Sequence, residues 1–252
     1  MINYAPLRQF WLAAVLLTRL PLPRLSEHDF ATGARAVWAY PLVGLIVGGI
    51  GALVGQAALW FGLPLLAVGA LAVGAMIVVT GAMHEDGLAD VADGFWGGFT
   101  PARRLEIMRD SQIGTYGMLA LLMVCILRLS AVMALLGTGW AALIAAAVLS
   151  RGMMVPVMYA LPHARDDGLS HSVGAPSAAP VGTAIVICVI TALVCLGSTG
   201  LVALLAVSAL TAAIALIARR KIGGQTGDVL GAIQQLCEAA VLLACAAVFT
   251  GV

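Results

Sequence analysis

The chain has 252 residues, of which 62% are hydrophobic and 10% are charged, and its formal net charge is +1. Ordinary soluble domains have roughly a quarter of their residues charged, so this composition excludes them and indicates a membrane protein. The 13 basic residues are scattered and form no basic stripe, which argues against nucleic-acid binding.

The first 36 residues are predicted to form an N-terminal interfacial segment. The apolar run FWLAAVLLT is much shorter than the roughly 20 residues that a transmembrane helix needs. The run is followed by RLPLPR and not by a cleavage site of small residues, so it does not resemble a signal peptide. We expect a short helix that lies at the membrane surface or re-enters it.

Seven later stretches are long and apolar enough to cross a bilayer. Backbone groups must be satisfied internally in lipid, so stretches of this length are predicted to be helices. The expected fold class is therefore an all-α integral membrane protein, a single polytopic domain over 1–252 with about seven transmembrane helices. The predicted spans are 37–60, 62–83, 115–136, 139–160, 181–199, 201–218 and 230–250.

The connections between these spans predict the topology. Strict alternation places four long segments on one face: 1–36, 84–114, 161–180 and 219–229. All Lys and Arg residues except Arg128 and Arg151 lie in these segments. The positive-inside rule therefore predicts that this face is cytoplasmic.

The second of these segments begins with HEDGLADVADGFWGG, residues 84–98, which contains four carboxylates. In a helix, Asp86, Asp90 and Asp93 would lie within an arc of roughly 60°, where like charges repel. A Mg²⁺ ion would relieve the repulsion and commonly bridges carboxylates to phosphates. A solvated acidic patch is the alternative. His84 is a weaker candidate, as a general base or as a residue that supports a metal ligand without binding the metal. The role of Glu85 is left open.

The same segment continues with several cations. Arg104 and Arg109 are candidates for binding phosphate oxygens, because guanidinium groups bind planar oxyanions in a bidentate manner. The alternative is that such arginines only anchor the segment at the membrane surface. Asp110 is a further candidate metal ligand.

The segment RRKIGGQTGD, residues 219–228, combines cations with a glycine-rich turn. Arg219, Gly223, Gly224 and Thr226 are candidates for binding phosphate, because successive backbone amides in such turns form anion-binding nests. Asp228 suits the N-cap of the last helix. A plain loop followed by a cap is the alternative.

Three charged residues fall within predicted spans. Charges in lipid are expensive and are usually paired or functional, so the simplest prediction is an ion pair between Glu238 and Arg128 or Arg151. The five cysteines lie in apolar runs with no metal-binding spacing and are predicted to be buried apolar side chains.

Five motifs together resemble one family, the adenosylcobinamide-GDP ribazoletransferases, or cobalamin synthases. They occur in order along nearly the whole chain: LLTRLPLP at 16–23, PLVGL at 41–45, HEDGLADVADG at 84–94, RLEIMRDSQIGTYG at 104–117 and GGQTGDVLGA at 223–232.

The resemblance implies a bacterial inner-membrane enzyme of the last stage of vitamin B12 assembly, with its active site facing the cytoplasm. Such enzymes join adenosylcobinamide-GDP to α-ribazole or its 5′-phosphate, release GMP and require Mg²⁺. It maps the acidic motif onto Asp86, Asp90 and Asp93 as metal ligands, with Asp110 added from the next motif. His84, Asp86 and Asp93 are the predicted catalytic residues. Homo-oligomerisation is left open.

Two other functions stay open at this point. Asp90 to Gly94 match the DxxDG opening of CDP-alcohol phosphotransferases, although Phe95 and Trp96 stand where an Ala-Arg pair is expected. An ion-coupled transporter would need ionisable groups near the bilayer midplane, and Arg128, Arg151 and Glu238 are the candidates for such a path.

Overall fold

The computed structural model describes residues 5–23 and 25–249. Within these residues all regular structure is helical, apart from one isolated bridge between His163 and Gln225. The α-helices are α1 (Ala5–Leu17), α2 (Glu27–Phe30), α3 (Gly33–Ala36), α4 (Tyr40–Trp60), α5 (Leu65–Thr80), α6 (Met83–Gly97), α7 (Pro101–Ile107), α8 (Thr115–Leu135), α9 (Ala141–Ala160), α10 (Leu169–Val173), α11 (Ala178–Leu196), α12 (Thr199–Ile222) and α13 (Gly227–Phe249).

The predicted fold class is confirmed. In the described part of the chain, six helical segments are long and apolar enough to cross a membrane: 33–60, 115–138, 141–160, 178–196, 199–222 and 227–249. A seventh span exists if the bent pair α5 and α6 is counted as one. The short N-terminal helix is also present as α1, whose 13 residues pack against α3 and α4.

The predicted second span, 62–83, differs from the structure. Helix α5 has 16 residues, and the chain turns by 87° before α6. Gly81 and Ala82 make this turn, with φ values of 65° and 56°. Such left-handed backbone is routine for glycine and strained for alanine.

The predicted loop 84–98 is also different, because most of it is a helix inside the bundle. Helix α6 packs between α8 and α13 and buries most of its side chains. Segment 84–98 therefore lies mostly within the helix bundle and does not form an open loop. Its apolar residues provide the reason, since Leu88, Val91 and Phe95 are buried in the core of the bundle.

Helices α9 and α13 form the centre of the bundle. Helix α9 packs against α4, α11 and α13, and α13 also packs against α6, α8 and α12. The predicted ion pair within the spans is confirmed here: Glu238 lies 2.5 Å from Arg128 Nη2 and 3.4 Å from Arg151 Nη1. All five cysteines are free thiols, and three are buried.

The long connecting segments meet at one end of the bundle. Arg109 Nη2 donates to Asp167 at 2.7 Å, and Ala164 N donates to Gln225 O at 2.9 Å. Arg104 Nη1 donates to the Lys221 carbonyl at 2.9 Å. Segments far apart in sequence therefore surround the start of α6.

Candidate active site

Helix α6 crosses the beginning of α13 at very short distance. A Cβ atom added to Gly87 would lie 2.9 Å from the Asp228 carbonyl oxygen, and one added to Gly231 would lie 3.3 Å from the His84 Cα. Glycines at both positions let the two backbones approach this closely. The crossing brings Asp86 of α6 and Asp228 of α13 to the same region.

The first acidic residue of α6 belongs to a buried polar network. Glu85 Oε1 accepts hydrogen bonds from Arg128 Nη1 at 3.0 Å and from Gln235 Nε2 at 2.9 Å. Gln234 Nε2 extends the network by donating to Glu238 Oε2 at 2.7 Å. Glu85, whose role the sequence left open, therefore joins α6 to α8 and α13.

Asp93, a predicted metal ligand and catalytic residue, caps the start of α8. Its two carboxylate oxygens accept hydrogen bonds from Gly114 N at 2.7 Å and from Gly117 N at 2.9 Å. A Cβ on either glycine would lie 2.4 Å from an Asp93 oxygen. A carboxylate at a helix N-terminus satisfies otherwise unpaired N–H groups. The structure thus separates Asp93 from the other two aspartates of the motif.

Asp86 and Asp90 carry no hydrogen bond or ion pair from any side chain in the described part of the protein. Asp86 is exposed and Asp90 is half-buried. Both line an open cavity of about 440 Å³, together with Arg109 and Asp110. Three predicted metal ligands and one predicted phosphate ligand therefore line one cavity.

A second, smaller cavity has a volume of about 140 Å³. Asp86 lines both cavities. Most of the other side chains in this lining are apolar. They come from α1, α4, α9, α10 and α13 as well as α6 and include Leu16, Leu17, Tyr40, Met83, Met154, Met158, Leu169, Val173 and Leu230.

Arg165 and Asp228 also line the smaller cavity, and sequence reasoning did not assign either to the site. Arg165 Nη2 lies 3.3 Å from Asp228 Oδ2, and its Nη1 atom is buried without a hydrogen-bond partner. Asp228 stands in the glycine-rich segment 219–228, and Arg165 stands in the connecting segment 161–180. Nothing in their local sequence indicates that they meet, because the pairing depends on how two loops fold together.

His84 lines the same cavity and is almost completely buried, with 1% of its surface exposed. Neither ring nitrogen has a hydrogen-bond partner in the described residues. Buried polar groups are nearly always paired, so the two unpartnered nitrogens of this lining residue indicate a position that a ligand can complete.

The predicted phosphate-binding arginines are placed in three different ways. Arg104 binds backbone carbonyls of Gly98 and Lys221. Arg109 pairs with Asp167 at the rim of the larger cavity. Arg219 lies away from both cavities, in the lining of a separate apolar groove of about 540 Å³ between α9, α11 and α12.

The predicted glycine-rich nest forms structural contacts. Gly223, at φ 84°, ends α12, and Gly224 lies so close to Pro162 that an added Cβ would be 2.2 Å from the proline carbonyl oxygen. Thr226 precedes α13 and accepts a hydrogen bond from Val229 N at 3.3 Å. The predicted N-cap role of Asp228 is wrong, because Thr226 occupies that position and Asp228 lies in the first turn.

The adjoining loop carries an imidazole pair. The rings of His163 and His171 are 5.2 Å apart, and Gln225 Nε2 lies 2.9 Å from His163 Nδ1. Burial, followed by the charge of His171, lowers the pKa of His163.

The carboxylates of Asp86 and Asp90 fit a Mg²⁺ site that substrate and water complete. Among the described residues, no group of three or more His, Cys, Asp or Glu side chains is arranged to hold a metal. Mg²⁺ is commonly held by one or two carboxylates together with substrate phosphates and water, rather than by an all-protein cage. The unpaired Asp86 and Asp90 beside an open cavity match that type of site.

Comparison with known proteins settles the family. A model of the cobalamin-5-phosphate synthase family matches residues 9–246. The chain belongs to this family. The resemblance read from the five motifs is thereby confirmed.

Curated relatives agree with this assignment. A protein of Mesorhizobium japonicum named adenosylcobinamide-GDP ribazoletransferase is 46% identical over 237 residues, which cover 92% of this chain and 90% of the relative. Proteins with the same name from Azorhizobium caulinodans and Bradyrhizobium diazoefficiens are 46% and 43% identical. They cover 90% and 94% of this chain, and 90% and 92% of their own lengths. No solved structure matches the chain.

Proposed function

We propose that this protein joins adenosylcobinamide-GDP to α-ribazole, or to α-ribazole 5′-phosphate, and releases GMP. The names of its curated relatives and the family assignment support this activity. One observation of the structure carries the proposal. Asp86 and Asp90 stand unpaired beside an open cavity at the end of the bundle where the long connecting segments meet.

The proposed reaction is a phosphoryl transfer. The 3′-hydroxyl oxygen of the ribazole ribose forms a bond to the phosphorus attached to cobinamide. The phosphoanhydride bond to GMP breaks, GMP leaves with the electron pair, and the hydroxyl proton passes to a base. Asp86 and His84, which line the smaller cavity, are the candidates for that base.

The larger cavity supports binding of the diphosphate. Asp86 and Asp90, with Asp110 in the same lining, would hold Mg²⁺ together with the substrate. When bound, Mg²⁺ neutralises the diphosphate and the charge that develops during transfer. Arg109 at the rim is the predicted phosphate ligand that this placement supports best.

We place this site at the cytoplasmic face of a bacterial inner membrane. All Lys and Arg residues except Arg128 and Arg151 lie in the segments on the site's side of the bundle. Adenosylcobinamide-GDP is a large polar molecule, and a cavity that opens toward the connecting segments leaves it room outside the bilayer.

The test is a turnover assay on the purified protein in detergent. Adenosylcobinamide-GDP, α-ribazole and Mg²⁺ should yield GMP and the joined cobamide in equal amounts, and chelation of Mg²⁺ should stop the reaction. A parallel assay with α-ribazole 5′-phosphate identifies the preferred acceptor. Turnover that is unaffected by chelation would overturn the assignment of the metal.

Two other outcomes would replace the proposal. CMP release from a CDP-alcohol donor with a lipid acceptor, without GMP release, would favour the phosphatidyl-type transferase. Ion flux in proteoliposomes without turnover would favour the transporter. The contacts of Arg128 and Arg151 with Glu85 and Glu238 argue against the transporter, because two buried cations are balanced by two carboxylates.

A further inference from the structure

The smaller cavity beside Asp86 is too small for a nucleotide-linked corrinoid. Its volume is about 140 Å³, against about 440 Å³ for the open cavity that Asp86 also lines. An engineered apolar cavity of about 150 Å³ in another protein holds benzene. The smaller cavity therefore fits part of a small molecule with an aromatic ring.

The lining of this cavity has two chemically distinct parts. One part is apolar and contains an aromatic ring and sulfur atoms, from Tyr40, Met154 and Met158. Methionine side chains pack adaptably against aromatic rings. The other part is polar and contains His84, Asp86, Arg165, Ser170 and Asp228.

The polar part contains groups without partners. His84 has neither nitrogen bonded, and Arg165 Nη1 is a buried donor with no acceptor among the described residues. A neutral imidazole has one donor and one acceptor nitrogen, and a hydroxyl group can satisfy either. A ligand with an apolar ring and adjoining hydroxyl groups would complete this cavity.

We propose that the smaller cavity is the base-binding part of the acceptor subsite, where the benzimidazole base of the ribazole nucleoside packs against Tyr40, Met154 and Met158. The ribose hydroxyls then lie beside His84 and Asp86. The donor diphosphate occupies the larger cavity, so the reacting oxygen and phosphorus meet at Asp86, the acidic residue common to both linings. This inference rests on the proposed function.

The subsite also gives the N-terminal helix a role. Leu16 and Leu17 of α1 line the cavity, and Leu17 is 3% exposed. Helix α1 therefore closes the apolar part of the acceptor subsite, and the LLTRLPLP motif begins with these two leucines.

The first experiment separates the two substrates kinetically. Met154→Ala and Met158→Ala should raise the KM for α-ribazole by about tenfold, because loss of apolar contact in a pocket reduces discrimination by roughly this factor. The KM for adenosylcobinamide-GDP should stay unchanged. A riboside with a larger, tricyclic base should become a better acceptor for Met158→Ala than for the unaltered protein.

Met153→Ala is the matched control. Met153 is a buried neighbour on the same helix, and it lines the separate groove between α9, α11 and α12 rather than the cavity. It should lower stability to a similar extent and leave both KM values unchanged. If Met158→Ala does not fold, Met158→Val supplies the same measurement with a smaller change in volume.

The second experiment addresses the hydroxyl contact. His84→Leu removes both the donor and the acceptor, whereas His84→Gln keeps one of each. We expect kcat/KM for α-ribazole to fall by at least about tenfold in His84→Leu and to recover partly in His84→Gln. The KM for adenosylcobinamide-GDP should be the same in both variants.

The outcomes distinguish the two proposals. If the unaltered protein releases no GMP from adenosylcobinamide-GDP and α-ribazole, the proposed function fails. If it releases GMP normally but the methionine variants leave the KM for α-ribazole unchanged, or shift the KM for adenosylcobinamide-GDP instead, the acceptor subsite is wrong and the function stands.

Discussion

The four carboxylates of helix α6 are in two different environments on two sides of the helix. Glu85 and Asp93 are buried, and their carboxylates accept hydrogen bonds from Arg128, Gln235 and the start of α8. Asp86 and Asp90 face the cavities without a hydrogen bond or ion pair in the described residues. Asp93 and one oxygen of Glu85 are therefore held by the protein, whereas Asp86 and Asp90 are available to a ligand.

The difference follows from the cost of removing charge from water. A buried carboxylate is tolerated when hydrogen bonds and an opposite charge compensate its desolvation. Arg128, which is 1% exposed, supplies this compensation for Glu85. Asp86 retains access to solvent, and nothing within the protein needs to neutralise it. Substitutions on the two sides should consequently affect different properties.

The largest expected effect is on turnover, at Asp86. Asp86→Asn should lower kcat by roughly a thousandfold, or about 4 kcal/mol, since loss of a metal ligand removes stabilisation of the developing charge. Its stability should stay within about 0.5 kcal/mol of the unaltered protein, as for most exposed positions. GMP release and unfolding in detergent measure the two quantities.

Glu106→Gln is the control for that change. Glu106 is an exposed carboxylate on α7 that pairs with Arg103 and lines neither cavity. Its substitution should change neither kcat nor stability measurably. Full turnover in Asp86→Asn would contradict the comparison between the two sides of α6.

Substitution of Arg128 should lower the stability of the protein, in contrast to Asp86→Asn, which should lower kcat. Arg128→Met leaves Glu85 and Glu238 without their main cation, and breaking a buried ion pair typically costs about 3 kcal/mol or more. We expect about 3 kcal/mol, because Arg151 still contacts Glu238. Denaturant unfolding in micelles checks the value. An unchanged midpoint would show that the network does not stabilise the bundle.

Substitution of Asp93, like that of Arg128, should lower the stability of the protein rather than its kcat. Asp93→Asn replaces one acceptor oxygen by a donor that faces backbone N–H groups, so one cap bond is lost at a cost of about 2 kcal/mol. Activity should fall in proportion to the folded fraction, with the KM values unchanged. A kcat loss in fully folded Asp93→Asn would instead return this residue to the metal site.

The smallest effect is expected at Arg109. Its pair with Asp167 is more than half exposed on both sides, so Arg109→Ala should change stability by less than about 1 kcal/mol. If Arg109 binds the diphosphate, the KM for adenosylcobinamide-GDP should rise severalfold while the KM for α-ribazole does not. Asp167→Asn is the control, because it removes the same ion pair and keeps the cation.

The sequence predicts the spans well and the site partly. Six of the seven predicted spans reappear as helices with ends shifted by a few residues, because hydropathy summed over about 20 residues is a strong local signal. At 62–83 the structure has the shorter helix α5, which ends at a turn of the chain. Composition alone does not show that Gly81 and Ala82 adopt left-handed backbone and turn the chain.

Within the site, helical spacing correctly placed Asp86 and Asp90 together but gave Asp93 the same expected role. The three side chains lie within an arc of roughly 60° around the α6 axis. Asp93 nevertheless differs, because it accepts hydrogen bonds from backbone N–H groups at the start of α8. Asp228 was predicted only as a helix cap and Arg165 was not predicted, because their convergence with His84 depends on contacts between distant parts of the chain.

The amino-acid sequence by itself determined the membrane class, the helical spans and the family, because these depend on local composition and on motifs that can be read in order. The tertiary structure decided which carboxylates are paired and which line a cavity. That distinction depends on which groups from other helices come within hydrogen-bonding distance, and such proximity is a property of packing that residue spacing along the chain does not contain.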